Sequence, residues 1–333
     1  MGDRRRLWAL DGLRGLAALA VVAYHYLDRG PHLYPQLGQS YSWIEWGKYG
    51  VQLFFIISGF VIFDSVRAST STRFLVNRAI RLYPAYWLAV LLTFIVVSLY
   101  GLPGRETTLP VALFNLTMLE GFFGVPYVDG AYWTLAVELA FYAVIVFLAR
   151  LNALRDGVIF ITLSVWLGLL LAARAVALIL PDDFGAFELL EGIAYWLPVF
   201  IIGIALNIGY HGGRWLPSVA IIIAALSVLT LGEISMLPPL AASVILVTIS
   251  IYLQLPTKVR PVSDYLGELS YPVYLLHQNI GYVLLLGLAA FGVPQIAATL
   301  VAAACAIGVA TIAAYLFDIP IRNRLRRLVP QSK

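Results

Sequence analysis

Apolar residues in this chain come in long blocks, and a block long enough to cross a lipid bilayer admits few folds. A helix needs about 20 mostly apolar residues to span the hydrocarbon core. Backbone polar groups find no water there, so spanning segments are helices or closed barrels. The blocks here have helix length, and about ten spans can be drawn. They run from Leu7 to Tyr26, Gly50 to Val66, Leu82 to Tyr100, Ala131 to Ala149, Val158 to Leu180, Leu189 to Ile208, Leu216 to Leu231, Leu237 to Leu253, Leu266 to Leu288 and Gln295 to Phe317. The expected fold is therefore all-α: a polytopic membrane helix bundle of about ten transmembrane helices, in a single integral-membrane domain over residues 1–333. Composition agrees, with 61% hydrophobic and 12% charged residues, against about 45–50% and about 25% in soluble domains.

Charge gives the chain a direction. With the N-terminus cytoplasmic, the inner loops carry Arg4 to Arg6; Arg67, Arg73, Arg78 and Arg81; Arg150 and Arg155; Arg214; Lys258 and Arg260; and the basic C-terminal run Arg322 to Lys333. The outer loops carry only Arg29, Lys48 and Arg105. Basic residues mark cytoplasmic loops, so an even number of crossings with both termini cytoplasmic is expected. The same rule accounts for the net charge of +4 without a nucleic-acid partner. Val111 to Val125 is apolar but short and is interrupted by Glu120, which reads as a re-entrant or interfacial segment. Asn115-Leu116-Thr117 matches a glycosylation sequon, a triplet common by chance. The N-terminus has the outline of a signal peptide, but Asp11 and Arg14 interrupt its apolar core, and it reads as a retained first helix. The single cysteine, Cys305, excludes an internal disulfide, and no metal site is expected.

Five segments carry residues able to do chemistry. In the first helix, Arg14 and His25 are eleven residues apart and return to nearly the same face about 16 Å along the axis. Asp11 is one turn before Arg14 and is expected to pair with it. Ionisable residues within a span usually face an internal cavity; the competing reading is a structural pair with His25 capping the helix end. In GVQLFFIISGF, Gly50 to Phe60, the Ser58-Gly59 pair admits either a ligand or a neighbouring helix backbone. In RFLVNRAIRLYPAYW, Arg78 and Arg81 share one face with Arg73 nearby, and only Asp64 offers a close acidic partner. Guanidinium groups suit phosphates; lipid-headgroup anchoring is the alternative. In WTLAVELAFY, opened by Trp133, Glu138 is a carboxylate inside a span, which requires a partner. In SYPVYLLHQNI, His277 follows Tyr271 and a kink expected at Pro272. With His25 and Glu138 it reads as part of a polar cavity.

LDGLRGLAALAVVAYH, GVQLFFIISGF, the Arg78/Arg81/Pro84 pattern, WTLAVELAFY and SYPVYLLH, in this order, resemble the acyltransferase-3 family of membrane acyltransferases over nearly the whole chain. That resemblance implies transfer of an acyl group, often acetyl, from acyl-CoA onto polysaccharides, glycolipids or similar acceptors of the cell envelope. It implies that Arg14 and His25 are essential, that Arg78 and Arg81 help hold CoA, and that Glu138 and His277 line the site. Gln52 stands where the family often has aspartate, so no acid role falls there. Leu276 and Gln278 replace aromatic residues that usually flank the second histidine.

The expected protein is thus an integral, multi-pass enzyme of a bacterial inner membrane. Acyl-CoA, acetyl-CoA above all, is its co-substrate; a sugar, glycolipid or polysaccharide hydroxyl is its acceptor, and membrane lipid surrounds it. A thioester is already activated, so catalysis needs positioning, a base and oxyanion stabilisation. His25 is the expected base, or a transient acyl carrier, with Arg14 and Glu138 orienting the site. Arg78, Arg81, Arg73 and Ser58 are expected on the CoA side, and Asp11, His277, Trp133 and Tyr271 lining the cavity. A proton-coupled transporter or glycan flippase would also use intramembrane Arg, His and Glu, and would be expected to show inverted repeats or broken helices.

Overall fold

The computed structural model describes residues 6–177, 185–231 and 233–329. Arg4, Arg5, Asp182, Asp183 and Lys333 lie outside the described residues. Every regular element among the described residues is helical. The α-helices are α1 Trp8–Tyr24, α2 Gly30–Leu33, α3 Gly50–Arg67, α4 Ser71–Tyr100, α5 Leu109–Asn115, α6 Trp133–Arg150, α7 Ile159–Ala177, α8 Gly185–Gly212, α9 Trp215–Thr230, α10 Leu237–Tyr252, α11 Arg260–Leu276, α12 Gln278–Ala290, α13 Gln295–Ile312 and α14 Ile319–Leu328.

Five helical stretches are long and apolar enough to cross a membrane: Ser42–Arg67, Ser71–Tyr100, Gly130–Arg150, Ile234–Tyr252 and Gln295–Leu328. A sixth is the pair Arg260–Leu276 and Gln278–Ala290, bent by 69° at His277. These six coincide with six of the ten predicted spans. The span predicted from Leu7 holds α1, 17 residues long, while Ile159–Ala173 in α7 and Trp215–Thr230, the whole of α9, are apolar helical stretches of 10–17 residues. The span predicted from Leu189 falls within α8, with its first residues outside the described side chains. Large apolar side chains stand exposed along whole faces, such as Ile161, Val165 and Leu169 on α7 or Leu91 and Ile95 on α4. On a soluble protein such faces would demand a partner; in a bilayer they meet lipid. The protein is an integral membrane protein.

The chain packs as two compact units. The first holds residues 6–51, 76–133 and 254–329. Its centre is α1 against α11, an approach that only small residues permit. A Cβ on Gly15 would lie 2.5 Å from Leu266 Cβ, and one on Gly267 would lie 2.8 Å from Asp11 Cβ. The second unit holds residues 52–75 and 134–253. There a Cβ on Gly59 would collide with the carbonyl oxygen of Phe200, and one on Gly203 with that of Ile56. The small-residue pair read at Ser58-Gly59 thus serves a helix–helix contact at Gly59.

The segment from Val111 to Val125 is not a crossing. It holds the seven-residue α5 and a short 3₁₀ turn, Glu120–Phe123. Asn115 is fully buried. Its amide donates to the carbonyls of Val111 and Pro126, and its Oδ1 accepts from Val128 N–H. The sequon asparagine is a structural clamp with no exposed nitrogen to modify.

Candidate functional site

Two clusters of polar groups form in the first unit, at either end of α1. At its C-terminal end the helix loosens into a π turn, His25–Arg29, before α2. Such turns are frequent at functional sites because they re-aim a side chain. Here His25 meets His277. His25 Nδ1 is 3.0 Å from His277 Nε2 and 2.9 Å from the carbonyl oxygen of Val21, and the rings are 4.8 Å apart.

Hydrogen-bond partners assign the tautomers, since a carbonyl can only accept. The carbonyl of Tyr274, 2.8 Å from His277 Nδ1, takes that proton. Neutral His277 then has a lone pair on Nε2, which accepts from His25 Nδ1–H. His25 is left with its own lone pair on Nε2. That is the protonation state of a general base held by an orienting partner, here a neutral imidazole in place of a carboxylate.

His277 sits where α11 breaks into α12, and the break is neither random nor placed at Pro272. It falls five residues later, at the point where side chains take over the backbone's bonds. Tyr132 Oη donates to the Leu275 carbonyl (3.3 Å) and Tyr26 Oη to the His277 carbonyl (2.7 Å). Asp129 Oδ2 accepts from Asn279 N–H (2.9 Å), and Asn279 Nδ2 donates to the Val128 carbonyl (2.9 Å). Irregular backbone at membrane depth survives only with such replacements. Asp129, Asn279, Tyr26 and Tyr132 are buried positioning residues that patterning did not single out. The Asp129-Gly130 turn just before Trp133 was the available signal.

Asp129 also gives the assembly a pH dependence. Burial pushes its carboxyl from 3.8 up to about 6, against the pull of N–H donors from Ala131 and Asn279. A raised value means that the fold prefers the protonated form. Its contribution is whole below the ordinary aspartate value and is lost as pH rises through about 6, amounting to about 3 kcal/mol. Thermal stability in detergent is expected to fall between about pH 4 and about pH 6, and Asp129→Asn, which cannot ionise, to flatten that fall. An unchanged slope in the variant would place the dependence elsewhere.

The second cluster lies about 16 Å along α1 from His25, beside Arg14. Arg81 is not paired with Asp64, which instead faces His211 at 3.3 Å in the second unit. Arg81 Nη1 is 3.5 Å from Glu268 Oε2, which Arg322 Nη2 also meets at 2.6 Å, and Arg322 Nε reaches Asp318 Oδ2 at 3.1 Å. Glu268 was invisible as a partner because 187 residues of chain separate it from Arg81. The expected Asp11–Arg14 pair does not form either. Asp11 takes Arg6 (Nε–Oδ2 3.0 Å), which bridges on to Asp264. Arg14 makes no ion pair among the described residues, and three arginines face two carboxylates. Tyr271 Oη donates to the Leu82 carbonyl beside Arg81 (3.3 Å). Arg78 and Trp133 are half-buried in the same unit.

Arg73, Ser58 and Glu138 belong to the second unit. Ser58 is half-buried beside the Gly59 contact, and Arg73 lies in the first turn of α4. Glu138 finds its partner one turn on in α6, accepting from Tyr142 Oη at 2.5 Å. The described residues contain no group of three or more potential metal ligands.

The family description "Acyltransferase domain" matches residues 7–319. "Exopolysaccharide production protein ExoZ" of Rhizobium meliloti is 31% identical over 313 residues, which are 85% of this chain and 92% of that protein. "Peptidoglycan O-acetyltransferase OatA" of Listeria monocytogenes is 26% identical over 225 residues, 58% of this chain and 34% of the relative's length. "Acyltransferase MdmB" of Streptomyces mycarofaciens is 32% identical over 149 residues, 41% of this chain and 38% of that protein. No solved structure matches. The family match runs along almost the entire chain: this chain belongs to the acyltransferase-3 family, a family of membrane enzymes that transfer acyl groups.

Proposed function

We propose that this protein moves an acyl group, acetyl in the first instance, from acyl-CoA to a hydroxyl of a sugar, glycolipid or polysaccharide in a bacterial cytoplasmic membrane. The observation that carries the reading is the His25–His277 pair, which leaves His25 Nε2 free to take a proton. In the proposed step, His25 Nε2 removes the acceptor proton as the hydroxyl oxygen attacks the thioester carbonyl. The tetrahedral intermediate collapses, the carbon–sulfur bond breaks, and the CoA thiolate takes the proton from the His25 imidazolium. Arg78 and Arg81 would hold the nucleotide end of CoA, a role supported by the excess of guanidinium over carboxylate around Arg81. Arg14, between that cluster and His25, would orient the acyl end.

The two clusters are about 16 Å apart along one helix, and the excess of basic residues in the loops on the arginine side supports a cytoplasmic position for that end. The pantetheine arm would therefore reach from the cytoplasmic side past Arg14, and the acceptor would approach His25 from outside. Purified protein in sealed vesicles of known orientation, with acyl-CoA on the cytoplasmic side and a glycan acceptor on the other, is expected to yield acylated acceptor. Arg78→Ala and Arg81→Ala are expected to raise the CoA dissociation constant about tenfold or more. Transfer only when donor and acceptor share one compartment would overturn the cross-membrane path. No transfer in any arrangement would overturn the enzyme reading.

The break at His277 is the one observation that favours a transporter, since substrate sites there use half-helix ends. In this protein the N-terminal end of α12 is already occupied by the Asp129 carboxylate. Acceptor or proton movement across the vesicle without acyl-CoA would revive that reading.

A further inference from the structure

Arg105 was read only as one of the few basic residues on the outer side. The structure carries its side chain to the histidine pair. The loop bearing it, residues 101–108, is tied down by Tyr34 Oη donating to the Pro103 carbonyl at 3.1 Å. A Cβ built on Gly130 would lie 2.6 Å from Arg105 Nη1 and 2.9 Å from Gln278 Nε2, so guanidinium and carboxamide meet across a residue that only glycine can be. Gln278 directly follows His277. Tyr282, fully buried, packs its ring 5.5 Å from Tyr34 and 6.4 Å from His25.

Three features make this corner a site. Arg105 forms no ion pair among the described residues. Asp129, whose charge acts on it, is committed to the N–H groups of Ala131 and Asn279, and Glu106 accepts from Gly104 N–H. Tyr282 Oη and Gln278 Oε1 are buried, and neither makes a hydrogen bond of normal geometry to a described group. Buried polar groups are otherwise hydrogen-bonded almost without exception. The guanidinium, the phenol and the carboxamide nitrogen are all donors, and they converge beside a base.

We infer that Arg105, Tyr282 and Gln278 form a subsite for an anionic oxygen group on the acceptor, a carboxylate or a phosphate monoester or diester, so that this protein acylates acidic glycans in preference to neutral ones. The inference rests on the acyl-transfer reading and names its acceptor class. With Tyr282 6.4 Å from His25 ring to ring, the anionic group and the reacting hydroxyl belong to the same sugar or to adjacent sugars. Two sources share this chemistry: a uronic-acid residue in the glycan, or the phosphate linking a sugar to a polyprenyl lipid.

The test measures binding and transfer separately. Wild type, Arg105→Gln and Tyr282→Phe are titrated with a galacturonate tetrasaccharide, a neutral glucose tetrasaccharide and a polyprenyl-phosphate glucose. Wild type is expected to bind one of the two acidic probes about tenfold or more tightly than the neutral one, the strength of one charge-assisted hydrogen bond. Which acidic probe wins identifies the source. Arg105→Gln is expected to collapse that preference. Tyr282→Phe keeps the buried ring and removes only the hydroxyl beside Gln278, so the fold is expected to hold, and it is expected to halve the preference or more. Binding preference retained in both variants would overturn the subsite. So would an equal fall of transfer to acidic and neutral acceptors in Arg105→Gln, which marks stabilisation of the reaction's oxyanion instead. Selective binding without transfer to any acceptor would leave the subsite standing and remove the enzyme reading.

Discussion

Acyl transfer by His25→Ala is expected to fall about 10³-fold at saturating donor, within the range a positioned general base supplies, while CoA binding persists. The separation follows from geometry. His25 lies beside His277, Tyr282 and the π turn, whereas the arginine cluster sits about 16 Å away along α1. His277→Phe is expected to cost less, about 10- to 100-fold, because His277 touches no reacting atom and acts by orienting the His25 ring. A purely structural His277 would lower stability and leave the pH–rate profile in place. A positioning His277 changes that profile, since the imidazole acceptor of the His25 Nδ1–H is lost and the Val21 carbonyl is left to hold it. Acid quenching in the absence of acceptor separates base from carrier. An acyl group recovered on a peptide containing His25 would make His25 the nucleophile, and its absence would leave it a base. Full transfer by His25→Ala would remove the site from this end of the protein altogether.

What was legible in the sequence was whatever one helix carries by itself. Apolar runs located α3, α6, α10 and α13 to within a few residues because hydropathy needs no knowledge of neighbours. The eleven-residue interval set Arg14 and His25 about 16 Å apart along the chain's first helix because helical pitch is fixed. Partners drawn from remote segments were not legible. His277 meets His25 across 252 positions of chain, and Arg81 meets Glu268 across 187. Local reasoning failed in a characteristic way at Asp11 and Asp64. Asp11 was matched with Arg14 and Asp64 was the one acid near the arginine group, and each found its partner elsewhere, in Arg6 and His211. Pro272 misled by position alone, being accommodated inside its helix. The real break comes where Asp129, Tyr26 and Tyr132 replace the lost backbone bonds, and no pattern in SYPVYLLHQNI announces those residues.

Glu268→Gln is expected to lower thermal stability sharply and to be rescued by donor. Glu268 Oε2 is shared by Arg322 at 2.6 Å and Arg81 at 3.5 Å. Removing its charge leaves both guanidinium groups, with Arg14 close by, facing only Asp318. Arg322 is almost wholly buried, at 6% exposure, and cannot turn to water. Breaking a fully buried pair costs about 3–5 kcal/mol. Glu268 is itself 33% exposed, so screening reduces the expected loss to about 2–3 kcal/mol. If this cluster receives CoA, the phosphates supply the negative charge that the variant has lost. Donor then binds the folded state at least as tightly as in wild type, and saturating CoA stabilises the variant by about 2.7 kcal/mol at a hundredfold excess over its dissociation constant. The melting temperature of Glu268→Gln should therefore rise with CoA by at least as much as that of wild type. Arg81→Ala, with a cation removed instead, should show little rise. A variant that melts early and ignores CoA, alongside an Arg81→Ala protein that binds CoA normally, would make the cluster a structural ion network and move the donor to another part of the protein.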